Sequence, residues 1–199
     1  MPSIRCEDPG TPDAIALIDE LSGALAAITG DSGKSSFDPG DVRGTRGRFA
    51  VAHDTGGHSI GCAALRPLAD GVAELKRMYA RPGSPGTGSA LLAFLEREAA
   101  ALGYRAICLE TRIVNERAVR FYSARGYRVI PNYGQYAGRD DAVCLAKQLG
   151  IPAGSVPTIG HGLIPKLACA SREQSSSCPI VGTEPGGSGV RRSPAIRGA

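Results

Sequence analysis

The sequence predicts an α/β domain, a mixed sheet with helices on its faces, followed by a disordered C-terminal extension. Three observations carry this. Strand-like and helix-like segments follow one another in the order β-α-β-β-β-α-β-α-β-β. The apolar fraction, 42%, is enough for a core, and all ten aromatic residues fall between Phe37 and Tyr136. The last 49 residues hold no aromatic, and 21 of them are Gly, Pro or Ser. The expected division is therefore a folded domain over 1–150 and a Gly/Pro/Ser-rich tail over 151–199.

Each element has a local reason. "SIRCED" reads as a first short strand. A helix follows from Thr11, which can cap it, through Pro12 in the first turn to a stop at Gly30. Ile15, Ile18, Leu21, Leu25 and Ile28 recur at helical spacing. Residues 31–47 form a polar loop with room for one short helical turn. "RFAVAHD" and "HSIGCAALRPL" read as strands joined by a "TGG" hairpin signal, and Asp70-Gly71 turns the chain into "VAELKRMYA". A helix from Ser89 to Leu102 shows one apolar stripe, Leu91, Leu92, Leu95, Ala99 and Leu102, and stops at Gly103. "YRAICLET" is a buried-type strand. A short helix lies between Asn115, a plausible N-cap, and Gly126. "YRVIPNY" and "DAVCLAKQL" close the domain as strands.

Charge and cysteine usage narrow the function. The net charge is +4, of which the tail carries +3 (five basic, two acidic) and the rest +1 (18 basic, 17 acidic). A nearly neutral domain without a basic stripe argues against a nucleic-acid partner. The six cysteines form no C-x-x-C pair, and three lie in apolar strand-like runs, as free thiols in a reducing compartment would. With only three histidines, none at ligand spacing from a cysteine, no metal site is expected. No apolar run approaches a membrane span, and "MPSIRCEDPG" lacks the apolar core of a secretory signal. The expected location is cytoplasmic, with no membrane partner.

Two segments invite a phosphate. "GDSGKSS" holds Gly-Lys-Ser, but a P-loop needs Gly five residues before Gly33, where Ile28 stands, and a strand ahead of it, where a helix lies. "RPGSPGTGSALL" is the better candidate. A strand ends at Ala80 and a helix begins near Ser89, with Gly83, Gly86 and Gly88 between. The first turn of a helix leaves backbone N–H groups unpaired at the positive end of the dipole, where an anion can bind. An ordinary strand-to-helix turn would read the same way. Downstream, Asn115, Ala118, Phe121, Tyr122 and Arg125 share roughly one helical face.

Taken together, "ELKRMYARP", "GTGSALLAFLE", "ICLET" and "NERAVRFYSARGY" resemble the GNAT superfamily of acyl-CoA-dependent N-acetyltransferases, over roughly residues 3–149. The final "IPNYGQYAGRDDAVCLAKQL" resembles the end of a bacterial subgroup of unassigned substrate. The resemblance implies a mostly antiparallel mixed sheet flanked by helices, acetyl-CoA as co-substrate, and a small-molecule amine or peptide amine as acceptor. It implies that Gly86, Thr87, Gly88, Ser89 and Ala90 hold the CoA pyrophosphate. It implies that Met78, Tyr79 and Ala80 pair through backbone atoms with the pantetheine arm. Asn115, with Ala118 on its helix, would touch the pantetheine or simply cap the helix, and Tyr122 falls on the general-acid position. The loop departs from the family pattern: Gly83 stands where a basic or amide residue opens it, it is about two residues short, and Pro85 removes an N–H donor. Arg81 is the neighbouring cation that could stand in. Glu74 and Glu110 are candidate bases, each equally readable as an ion-paired strand acid. Tyr133 and Tyr136 read either as acceptor-pocket lining or as surface packing. The implied reaction is direct attack in a ternary complex; a non-catalytic acyl-CoA-binding module or a decayed enzyme of this kind is the alternative.

Overall fold

The computed structural model describes residues 1–150. The tail over 151–199, expected to be disordered, lies outside the described residues, as do Cys169 and Cys178. Seven strands are β1 (Ser3–Cys6), β2 (Arg48–His53), β3 (Ser59–Ala69), β4 (Val72–Ala80), β5 (Ala106–Arg112), β6 (Arg128–Ile130) and β7 (Ala142–Gln148). Three helices are α1 (Pro12–Thr29), α2 (Thr87–Ala101) and α3 (Glu116–Ser123). The strands form one sheet in the order β1-β2-β3-β4-β5-β7-β6, antiparallel except for the β4–β5 pair. This is the mixed, mostly antiparallel α/β architecture expected. No helix among the described residues is long and apolar enough to cross a membrane.

The helices sit where their apolar stripes require. On one face Leu91, Leu92, Leu95 and Ala99 of α2 pack with Leu65, Leu75, Ile107, Leu109 and Leu145 of the sheet. On the other face Ala14 and Leu17 of α1 pack with Phe49, Val51, Cys62 and Ala64. Thr11 caps α1, its Oγ1 accepting from Ala14 N–H at 3.3 Å, and Gly30 ends it in the left-handed region (φ 77°). The apolar stripe of α1 is rotated from the one expected. Ala14, Leu17 and Leu21 are buried, whereas Ile15 and Ile28 are each 49% exposed. Ala14, Leu17 and Leu21 lie at i, i+3 and i+7 on one helical face, and Ile15 points about 100° away from Ala14.

The expected strand "YRVIPNY" is shorter than its pattern. It stops at Ile130, and Asn132 takes over the pairing: its Nδ2 donates to the Arg139 and Ala142 carbonyls, and its Oδ1 accepts from Cys144 N–H. The chain then turns under the sheet, so Tyr133 and Tyr136 are buried at 2% and 4% exposure. Of their two readings, surface packing fails. Cys62, Cys108 and Cys144 are buried free thiols, as their apolar runs indicate; Cys6 is exposed.

Candidate active site

The site grows from a single topological fact. β4 and β5 are parallel neighbours joined at only three residue pairs, Val72–Ala106, Ala73–Ile107 and Glu74–Cys108. Past Glu74 the two strands have no ladder, and backbone groups along that edge of β4 are left for another partner. A second irregularity sits on the other edge. Cys62 pairs with Tyr79 and Ala64 with Lys76, so Arg77 and Met78 together oppose Ala63. This is a β-bulge, and Arg77 occupies the left-handed region at φ 52°, an uncommon position for a residue with a side chain.

A cavity of about 190 Å³ fills the opening between the strands. Met78, Leu109, Asn115, Ala118 and Tyr122 line one part of it; Lys76, Arg77, Glu110, Arg112, Tyr136 and Arg139 line another. The structure thus brings Tyr122 and Glu110 to one cavity.

Tyr122 is 7% exposed, packed edge-on against Phe121 and Tyr127 at centroid distances of 5.1 and 5.6 Å. Its hydroxyl has no hydrogen-bond partner among the described residues. Burial pushes its phenol well above the ordinary value, and Arg125 only partly offsets this, so it stays protonated at neutral pH. Burial likewise raises the Glu110 carboxyl, against the opposing pull of Lys76, Arg112 and Arg139.

Glu74 lies elsewhere. It is 1% exposed, receives Arg66 Nε and Nη2 at 2.8 and 2.7 Å, and accepts the Tyr133 hydroxyl at 3.0 Å. It borders a neighbouring cavity with Arg66, Asp41, Tyr133 and Tyr136, not the one holding Tyr122. Lys76 donates to the Tyr136 hydroxyl at 2.5 Å and lies 3.8 Å from Glu74.

The glycine loop leads from β4 into α2. Gly83 and Gly86 take φ of 81° and 80°, and Gly86 caps α2 without any side-chain bond. Thr87 N–H donates to Ser84 O and Ala90 N–H to Gly86 O, so the backbone of those two residues is committed internally. The N–H groups of Gly88 and Ser89 have no acceptor among the described residues. Gly61 on β3 seats this turn. A Cβ there would lie 2.6 Å from Tyr79 O and 2.9 Å from Thr87 Cγ2. Asn115 caps α3, its Oδ1 accepting from Ala118 N–H at 3.3 Å, while also lining the cavity.

The charge expected from Arg81 is not free. Its guanidinium is bidentate to Glu20 of α1 at 2.7 and 2.9 Å and bonds Ser59 O. A different cation reaches the loop. Arg125 stacks on the Phe121 ring, 3.7 Å from its centroid, and donates to Ser89 Oγ at 2.5 Å.

Sequence reasoning passed over Lys76, Arg77 and Gly61. A signal existed for the first two: consecutive charges inside an otherwise buried strand break its alternation, as a bulge does.

Known proteins share this fold. The model of the acetyltransferase (GNAT) family matches residues 18–127. An uncharacterized N-acetyltransferase of Schizosaccharomyces pombe is 34% identical over 90 residues, 44% of this chain; the match spans only 55% of that relative's length. An IAA acetyltransferase of Azospirillum brasilense is 29% identical over 137 residues, 67% of this chain and 89% of the relative. Among solved structures, a Klebsiella pneumoniae chain assigned as an acyl-CoA N-acyltransferase superposes with a TM-score of 0.64 at 26% identity, covering 75% of this chain and 99% of that one.

Proposed function

The chain belongs to the acetyltransferase (GNAT) family, and on that premise we propose that it transfers an acetyl group from acetyl-CoA to a primary amine by direct attack in a ternary complex. The observation that carries this reading is the meeting of Tyr122 and Glu110 in the opening between β4 and β5. The residues fit the co-substrate. The unpaired edge of β4 over Met78–Ala80 offers strand-type hydrogen bonds to the amides of the pantetheine arm. Free N–H groups of Gly88 and Ser89, with Gly86 turning the chain and the Arg125 guanidinium close by, suit the pyrophosphate. Acetyl-CoA, when bound, supplies the activated acyl group and a thiolate leaving group.

The chain's own residues handle the protons. Glu110 takes one from the acceptor ammonium, directly or through a water; its raised carboxyl suits a base working near neutral pH. Tyr122 supplies the proton that the thiolate needs, its hydroxyl being unengaged and held protonated by burial. Glu74 acts as a positioning residue, tying Arg66 and Tyr133 beneath the acceptor end. Among the described residues no cysteine lines the cavity, and burial pushes the Cys62 thiol up to about 12, which suits direct transfer over an acyl-enzyme. The acceptor is a small molecule or a peptide amine. The free buried thiols favour the cytoplasm as its setting.

The test is thiol release from acetyl-CoA across an amine panel. Tyr122→Phe is expected to lower kcat roughly 10²–10⁴-fold while CoA affinity stays within about twofold. Full turnover by Tyr122→Phe would remove Tyr122 as the acid. The engagement of Arg81 by Glu20 favours a second reading, an acyl-CoA-binding module without turnover. CoA binding with no thiol released from any amine would select it.

A further inference from the structure

The lining of the cavity carries more cations than carboxylates. Four cations line it, Lys76, Arg77, Arg112 and Arg139, against two carboxylates, Asp31 and Glu110. Arg112 and Arg139 are accounted for. Arg112 pairs with Asp31 at 3.0 Å and with Asp141, and Asp141 also receives Arg139 at 3.2 Å. Lys76 and Arg77 are less fully paired. The carboxylate nearest to Lys76, Glu74, lies 3.8 Å away through Oε1, and its Oε2 already receives two nitrogens of Arg66. Arg77 has no carboxylate within 4 Å among the described residues; its guanidinium rests on the Phe37 ring and bonds the Ser32 and Gly33 carbonyls. Both residues are only 8% exposed. Carbonyl dipoles solvate a buried cation without neutralising it, and two adjacent buried cations with one carboxylate within 4 Å between them, itself shared with Arg66, are costly. They persist because the bulge at Arg77 points two consecutive side chains at the face that Tyr136 and Phe37 cover.

We propose that the acceptor amine also carries an anionic group, a carboxylate as in an α-amino acid, and that Lys76 and Arg77 are the counter-charges that hold it. The inference rests on the acetyltransferase reading and names its substrate class. A carboxylate here completes the charge balance and leaves the amine beside Glu110. The same cations oppose an ammonium and so favour the neutral amine, the form that attacks. A polyamine would bring further positive charge to a lining that already holds four cations against two carboxylates.

The experiment uses matched trios, each an α-amino acid, its carboxamide and its decarboxylated amine, over several side chains. Thiol release from acetyl-CoA is measured with the full chain, and binding of each compound is measured by calorimetry with and without CoA. The carboxylate member is expected to be preferred roughly 10–100-fold, the worth of a hydrogen bond to a charged group. Lys76→Met and Arg77→Met should each bring that ratio close to one, with CoA affinity reporting an intact fold. If Arg77→Met does not fold, Lys76→Met carries the test, since it leaves the left-handed backbone position untouched. Equal or better use of the carboxamide or amine overturns the inference, as does a preference surviving in both variants. If CoA binds but no thiol is released, turnover fails and the calorimetric preference still decides the substrate class. If CoA does not bind, the acetyltransferase reading falls, and binding without CoA still shows whether the wall selects a carboxylate.

Discussion

Gly61→Ala tests whether the cofactor loop is positioned by packing. Gly61 has an ordinary strand backbone, so alanine there carries no conformational penalty, and the effect is steric alone. The new methyl would lie 2.6 Å from Tyr79 O, 2.9 Å from Thr87 Cγ2 and 3.2 Å from Leu91 Cδ1, where ordinary contact begins at 3.4 Å. The worst overlap, 3.4 minus 2.6, is 0.8 Å. Two of the three obstacles belong to the first two turns of α2 and the third is strand backbone, so relief requires α2 to lift from β3 or the end of β4 to shift. Overpacking of this kind costs about 1–3 kcal/mol. A displacement approaching 1 Å in a positioning element costs about 10²-fold in rate. Gly61→Ala is therefore expected to melt lower by several degrees and to bind CoA about 10–100-fold more weakly, read by calorimetry beside a melting curve. Unchanged CoA affinity in a variant with a lowered melting temperature would refute the link between this packing and the cofactor loop.

Other expectations separate causes that look alike. Gly86→Ala meets no atom within 4 Å, so only its φ of 80° resists, and about 1 kcal/mol should be lost from stability, with a smaller fall in CoA affinity than in Gly61→Ala. Glu110→Gln should abolish the acid limb of the kcat/KM–pH profile, a limb placed above the ordinary carboxylate range because burial raises this group. The same shift has a stability sign. A carboxyl whose pKa is raised on folding favours the fold below the unfolded value and loses that contribution as pH rises through the folded value. Glu110→Gln should then melt above the parent at pH 7.5 and equal it near pH 4. Glu74→Gln should cost about 2 kcal/mol by weakening the Arg66 and Tyr133 contacts, roughly 4–8 °C in melting temperature. It should retain thiol release, and complete loss of turnover in a folded protein would return Glu74 to the catalytic set.

What could be read in the sequence, and what could not, follows from how far each feature depends on distant contacts. The α2 stripe and its glycine stop are local, and all four of its central positions, Leu91, Leu92, Leu95 and Ala99, are buried. The loop glycines were legible because left-handed turns select for them. Tyr122 and Asn115 were legible because seven residues on one helix fix their relation. Which cavity Glu74 and Glu110 each border was not, because both stand on strands that end at the same side of the sheet. It depends on where two parallel strands part company, just after Glu74 pairs with Cys108. The fate of Arg81 depended on Glu20, 61 residues away, and local reading left it free when it is not.

The bulge at Arg77 ties the two halves of the site together. It lies on the β3 side of β4, while the parting from β5 lies on the other side of the same few residues. One extra residue bends and twists the strand that carries it. Here that bend falls where β4 leaves β5, so the distortion beside the unpaired edge of β4 also turns Arg77 onto the face of Lys76. On the proposed reading, cofactor access and acceptor charge are then consequences of one backbone irregularity. Regularising β4 by deleting Met78 should damage both together, weakening CoA binding and carboxylate discrimination in the same variant. Side-chain changes at Lys76 should instead separate them, because the charge can be removed without straightening the strand. If the deletion variant folds and loses only one of the two properties, the bulge is not their common cause.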